Sequence, residues 1–258
     1  MKLEPILLLL LASLAGCASA YVNGTTPPIN PKPPASGPPT EGVVSINFDD
    51  GYESAYEFGL PIVEHAGFKT TQFIITKLVD QPGYVTTGQI LAMQNSGHEI
   101  GDHTRTHQNL TALTPAQQKD EIVGAQQDLI QIGVTPTSFA FPFGAHNDST
   151  QSILAAAGFA AARTTNKGLN DENSDPILLN CWVIAPEGVT TDINQITQAI
   201  DDAQTNGKWL ILLFHRIDEA GNPISVSHTL LQQTVDHLVE RKTTVITLKQ
   251  GLVLYHLN

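Results

Sequence analysis

Val43-Val44-Ser45-Ile46-Asn47-Phe48-Asp49-Asp50-Gly51 reads as a strand that runs out into two adjacent acids and a glycine. The β-branched and apolar residues at 43–48 favour the strand, and Asp-Gly favours the turn that ends it. A helical stretch follows at 52–66, and the pattern repeats with a strand at 71–75, a helix at 87–96 and a short strand at 98–101. Thr114 caps a helix with Pro115 in its first turn, running to residue 132. Beyond it lie a strand at 138–141, a helix at 149–157 stopped by Gly158, and strands at 159–163 and 182–184. A helix at 192–206, the apolar strand 209–214, a helix at 226–240, a strand at 244–245 and a last helix complete the chain. Such alternation predicts an α/β fold with parallel strands and crossover helices, arranged as a barrel.

The 258 residues suit one such domain, and 41% hydrophobic against 15% charged residues is a balance that buries a substantial core. A formal net charge of −12 excludes a phosphate backbone as partner, because nucleic-acid binding draws on clustered Lys and Arg.

Residues 1–20 read as an export signal: Lys2, then the apolar run 6–14, then small residues, too short to anchor across a bilayer. Leu14-Ala15-Gly16-Cys17 looks like a bacterial lipobox, which makes a lipid on Cys17 the one expected membrane contact. Ala18-Ser19-Ala20 offers a conventional cleavage site instead. Either way the chain is exported, as an envelope lipoprotein or a secreted protein. Seven prolines within 21–41 make that segment a stiff tether, so the folded domain is expected at 42–258. Cys181 is the other cysteine, and no intramolecular disulfide is expected.

Catalytic groups of such barrels stand on loops at the C-terminal ends of the strands. Four of those ends are chemically loaded: Asn47 to Gly51, His103-Thr104-Arg105-Thr106-His107, Phe141-Pro142-Phe143-Gly144, and Leu212-Leu213-Phe214-His215. Two histidines four apart can reach one ion, and a carboxylate completes a two-histidine, one-carboxylate face with open positions. Each element alone has a plainer explanation. Paired histidines are often surface groups, Asp50 before a glycine is often a turn or helix cap, and His215 could simply end a strand. Together on one rim they supply what metal-assisted hydrolysis needs, one acid on the metal and another free to take a proton.

These four segments, in this order, resemble the motifs of the polysaccharide deacetylase family with a NodB-like domain, carbohydrate esterase family four. The resemblance covers residues 42–250. It implies a distorted (β/α) barrel with fewer than eight regular strand-helix units, acting on a polysaccharide. Asp50, His103 and His107 would hold a divalent metal, zinc first, with Co2+ or Ni2+ as alternatives. Asp49 would be the general base and His215 the general acid that protonates the departing sugar nitrogen. The backbone N–H of Phe143, beside Pro142, would stabilise the oxyanion, Leu213 would wall the acetyl pocket, and Trp182 matches an aromatic motif position. The family's substrates include chitin-like polymers, peptidoglycan and poly-N-acetylglucosamine. O-acetylated xylan and an inactive carbohydrate-binding relative are the alternatives. One departure stands out: many members carry an arginine two residues before the motif proline, where this chain has Ala140. Arg163, at the end of the next strand, is the first candidate to replace it. The acid that partners the terminal histidine in some members has no match in Asn180-Cys181-Trp182.

Overall fold

Seven parallel strands close on themselves. In the computed structural model, β1 (Val43–Phe48), β2 (Thr71–Ile74), β3 (Glu99–Asp102), β4 (Ser138–Ala140), β5 (Ala161–Lys167), β6 (Leu179–Val183) and β7 (Trp209–Phe214) pair in chain order. β7 then pairs with β1 from Val43↔Trp209 to Phe48↔Phe214. Residues 39–218 and 221–257 are described; the expected export signal, Cys17 and most of the expected tether lie outside them. The barrel therefore has seven strands, fewer than eight as expected.

Alternation sorts the strand side chains. Val43, Phe73, Ala140, Ala161, Leu179, Cys181, Trp209, Ile211 and Leu213 share one buried cluster inside the barrel. The intervening Val44, Ile46, Phe48, Leu210, Leu212 and Phe214 pack outward against helices. The interior is full: a Cβ on Gly101 of β3 would come 2.4 Å from the Phe73 ring.

Helices α1 (Leu60–His65), α2 (Thr87–Asn95), α3 (Pro115–Gln131), α4 (Asp148–Ala157), α5 (Ile193–Thr205) and α6 (His228–Glu240) form the outer layer. Capping boxes at Thr86, Thr114 and Asn147 start three of them. Gly158 ends α4 in the left-handed conformation at φ 79°. Two further short strands follow β7, β8 (Arg216–Ile217) and β9 (Ser225–Val226), and β10 (Thr244–Val245) adds to the start of β1. Helix α7 (Leu248–Leu254) closes the N-terminal end of the barrel. Its first amides donate to Thr71 Oγ1 and Glu99 Oε2, both at 2.9 Å, and Tyr255 stacks on Trp209 with centroids 5.8 Å apart. Among the described residues no helix is long and apolar enough to cross a membrane.

The strand at 159–163 begins two residues later and continues to Lys167, with a register shift against β6 between Arg163 and Lys167. Its outer half is polar and half-exposed, so no apolar alternation marks it. β6 starts at Leu179 rather than 182.

At the same end of the barrel, buried His98 ties β3 to β2. Its Nδ1 accepts from Thr70 N (3.1 Å) and lies 2.8 Å from Thr70 Oγ1, while Nε2 faces Glu64 Oε1 at 3.1 Å. Burial pushes its pKa below 6.5, Lys69 adds to that, and Glu64 only partly opposes it. The unfolded chain thus binds this proton more readily. The contribution of neutral His98 is therefore present above the unfolded value and is lost as pH falls from there through the folded one. Melting temperatures of wild type and His98→Gln between pH 7.5 and 5 test this. The gap between the two proteins should shrink on acidification; a constant gap would show that His98 titrates alike in both states.

Candidate active site

The parity that fills the barrel also builds the site. Continuing β1, β3 and β7 by the same alternation brings Asp49, His103 and His215 to the interior face at the C-terminal rim. The backbone then departs from regularity at four non-glycine residues with left-handed φ: Asp50 (73°), Thr104 (68°), His107 (60°) and Phe143 (58°). Each costs of order 1 to 3 kcal/mol, and such residues cluster at functional sites. At Asp50 the turn returns the chain so that its carboxylate and that of Asp49 both approach His103 Nε2, at 3.3 and 3.6 Å.

Asp50 Oδ1 lies 3.3 Å from His103 Nε2 and 3.4 Å from His107 Nε2, is buried, and has no hydrogen-bond partner among the described residues. One ligand atom from each of the three residues lies within 4.8 Å of the others. Donors about 2.0 to 2.2 Å from a tetrahedral ion stand roughly 3.3 to 3.6 Å apart, so the two Asp50 distances fit a shared cation. His103 Nδ1 lies 2.7 Å from the Ala140 carbonyl, which takes its proton and leaves Nε2 free to ligate. The residues present can therefore hold a metal ion. Burial raises the pKa of Asp50, but the close approach of His103 and the charges of His215 and His107 outweigh it and hold the group well below the usual range. Burial works against protonating His103, yet Asp49 and Asp50 raise it overall, whereas burial and His103 lower His107.

Asp49 is held from across the barrel. Arg163 is fully buried, and its Nη2 donates to Asp49 Oδ2. Its Nη1 donates to the Thr164 carbonyl at 3.0 Å, and its Cζ lies 5.3 Å from the Phe73 centroid. Burial disfavours its charge, but Asp49 more than compensates and keeps it cationic. Ala140 is its lateral partner on β4, so the missing side chain at 140 leaves the interior volume that the guanidinium crosses. The other Asp49 oxygen, Oδ1, is buried and unpartnered among the described residues.

His215 is half-buried with Nδ1 enclosed and without a hydrogen-bond partner among the described residues. Burial lowers its pKa against the pull of Asp49 and Asp50, with Arg163 and His103 adding to the lowering. Phe143 is 65% exposed in a turn behind buried Pro142, its ring 4.7 Å from that of His107. Gly144 follows at φ 69°, where a Cβ would lie 2.3 Å from Thr165 Oγ1; glycine is required there. Leu213 is wholly buried beside Asn47 in the barrel interior. Trp182 is not brought to the cluster: it packs with the outward-facing core, and Lys167 Nζ sits 4.2 Å over its ring. Two features escape a reading of the sequence. One is Tyr52, with Arg216 Cζ 3.6 Å over its ring, and the other is the set of acids on α3 that hold the histidine loop. Only the spacing of those acids, Asp120, Glu121 and Asp128 on one helix, hints at them.

Comparison with known proteins agrees with this geometry. Residues 36–162 match the family model described as polysaccharide deacetylase. The Bacillus subtilis protein YxkH is 31% identical over 149 residues, 57% of this chain and 53% of YxkH. Chitin deacetylase 1 of Cryptococcus neoformans var. grubii is 27% identical over 203 residues, 77% of this chain and 39% of that protein. The chain thus spans about half or less of these curated relatives. Among solved structures, the Bc1960 peptidoglycan N-acetylglucosamine deacetylase shares the fold with TM-score 0.62 at 18% identity, over 83% of this chain and 89% of that one. With its motifs gathered on one rim of a seven-stranded barrel, the chain matches the polysaccharide deacetylase family across residues 36–162.

Proposed function

We propose that the protein is an exported, metal-dependent hydrolase that removes N-acetyl groups from an N-acetylglucosamine-containing polysaccharide and releases acetate. The observation that carries this reading is the pairing of three converging donors that can hold a metal, on Asp50, His103 and His107, with a second acid, Asp49, whose Oδ1 has no hydrogen-bond partner among the described residues while Arg163 holds Oδ2. A bound divalent ion, zinc first, supplies Lewis-acid polarisation of the acetyl carbonyl and acidifies water there.

The chain's own residues do the rest. Asp49 Oδ1 accepts the proton of the attacking water. The backbone N–H of Phe143 faces the developing oxyanion, a donor of a kind worth about 2.7 to 4 kcal/mol. His215 delivers a proton to the sugar nitrogen as the C–N bond breaks, giving acetate and a free amine. Leu213 bounds the space for the acetyl methyl. The matched relative named as a chitin deacetylase supports an amino-sugar polymer as substrate, and residues 1–41 support action in the cell envelope.

Acetate release from chitooligosaccharides, poly-N-acetylglucosamine, peptidoglycan and acetylxylan tests the proposal, after chelation and after return of zinc or cobalt. Release from an amino-sugar polymer should vanish on chelation and recover with metal. Release from acetylxylan alone would replace N- by O-deacetylation, and silence on every substrate with metal bound would overturn the enzymatic reading.

A further inference from the structure

The segment from His103 to His107 is five residues long, contains two left-handed non-glycine residues, Thr104 and His107, and must hold two imidazoles to one point. Local bonds fix its ends, with Thr104 N donating to Asp102 Oδ1 at 2.8 Å and His107 N to Thr104 Oγ1 at 3.0 Å. They leave Arg105 and Thr106, at the tip, to be fixed from outside. α3 does this with a run of acids. Glu121, only 5% exposed, receives Thr106 N on Oε2 at 2.8 Å and Thr106 Oγ1 on Oε1 at 2.6 Å. Arg105 N donates to the Glu121 carbonyl at 3.1 Å. The Arg105 guanidinium grips Asp128 with Nε and Nη2, both at 3.0 Å, and reaches Asp120 at 2.8 Å with Nη1. Asp128 also takes Thr76 Oγ1 at 2.9 Å, linking the loop after β2 to the same anchor.

Gly124 completes the device. A Cβ there would stand 2.7 Å from Arg105 Nε and 2.9 Å from its Cδ and Cζ. A glycine in the middle of a helix costs about 0.5 to 1 kcal/mol relative to alanine, and here it lets the arginine lie flat across the helix between its acidic partners.

We propose that α3 is the positioning element of the metal face: Glu121, Asp128 and Gly124 fix Arg105 and Thr106, and thereby set the distance between His103 Nε2 and His107 Nε2. None of these α3 residues belongs to the cluster of possible ligands, Asp50, His103 and His107. The inference rests on the metal-site reading above and assigns it a support outside the sequence motifs. Partners that orient ligands in this way are typically worth about 10- to 100-fold in metal affinity.

The test measures zinc affinity by competition with a chromophoric chelator, the absorption spectrum of the cobalt-loaded protein, and the melting temperature of the metal-free protein. The variants are Glu121→Gln, Gly124→Ala and Arg105→Lys in the full chain. Glu121→Gln puts an amide donor against Thr106 N–H and should weaken zinc binding about 10-fold with an altered cobalt spectrum. Gly124→Ala should weaken it through Arg105 alone, even if Glu121→Gln fails to fold. Arg105→Lys keeps the charge, loses the two-point grip on Asp128, and should fall between wild type and Glu121→Gln. Wild-type affinity and spectrum in all folded variants, with only the metal-free melting temperature lowered, would make α3 a structural support and overturn the inference. Failure of the wild type itself to bind zinc or cobalt would instead retire the metal-site reading, and this inference with it.

Discussion

Asp49→Asn is expected to lower acetate release about 10³-fold while leaving metal affinity close to that of the wild type. Asparagine has nearly the same shape and keeps a side-chain oxygen for Arg163 Nη2, so the buried guanidinium retains a partner. It cannot take a proton, and the proton of the attacking water then has no acceptor at the position of Oδ1. The metal face is untouched, because Asp50, His103 and His107 are the residues whose ligand atoms converge. Asp50→Asn reverses the pattern: it removes the anionic donor 3.3 and 3.4 Å from the two imidazoles, so metal affinity and acetate release should fall together. Parallel chelator competition and acetate assays on the two variants separate the roles of adjacent acids. Undiminished turnover in Asp49→Asn, or equal loss of metal in both, would show that the division of labour between them is wrong.

That division is only half legible in the sequence. Adjacent strand residues point to opposite faces, which suggests separate duties for Asp49 and Asp50. What the pattern cannot fix is the left-handed φ at Asp50, since an aspartate before glycine tolerates that conformation without requiring it. The same holds at Thr104, His107 and Phe143, where tertiary contacts override preference. The i,i+4 spacing of His103 and His107 is readable, but the two meet in an irregular loop rather than a helical turn, and the bonds that hold the tip of that loop, at Arg105 and Thr106, come from α3. Strand parity is the more powerful guide. Reading β7 as Leu213 in, Phe214 out places His215 at the rim, and reading β6 from Leu179 places Cys181 and Val183 inward and Trp182 outward. From sequence alone β6 begins at residue 182, because Leu179-Asn180-Cys181 has too little apolar alternation to mark its start, and the outward placement of Trp182 is lost with it. The two-residue strands β8 and β9 are too short for any periodicity to announce them.

Arg163→Ala should lower kcat about 100-fold with a much smaller change in KM, and a second substitution, Ala140→Arg, should recover part of the loss. Arg163 and Ala140 are lateral partners inside the barrel, so an arginine on either strand can enter the same interior volume and reach Asp49 Oδ2. Removing Arg163 leaves a buried carboxylate without its cation, and breaking a buried pair from one side costs about 3 to 5 kcal/mol. The melting temperature should therefore fall as well, more than for a surface arginine such as Arg241. Catalysis falls for a separate reason: Asp49 is no longer fixed, and small displacements of a reacting group cost about 100-fold. Ala140→Arg alone puts a second guanidinium beside the first with one carboxylate between them, and is expected to destabilise the wild-type protein. In the Arg163→Ala background the same substitution restores one cation to one anion and should raise both kcat and the melting temperature. Recovery of stability without any recovery of kcat would show that Arg163 balances charge in the barrel but does not position the base.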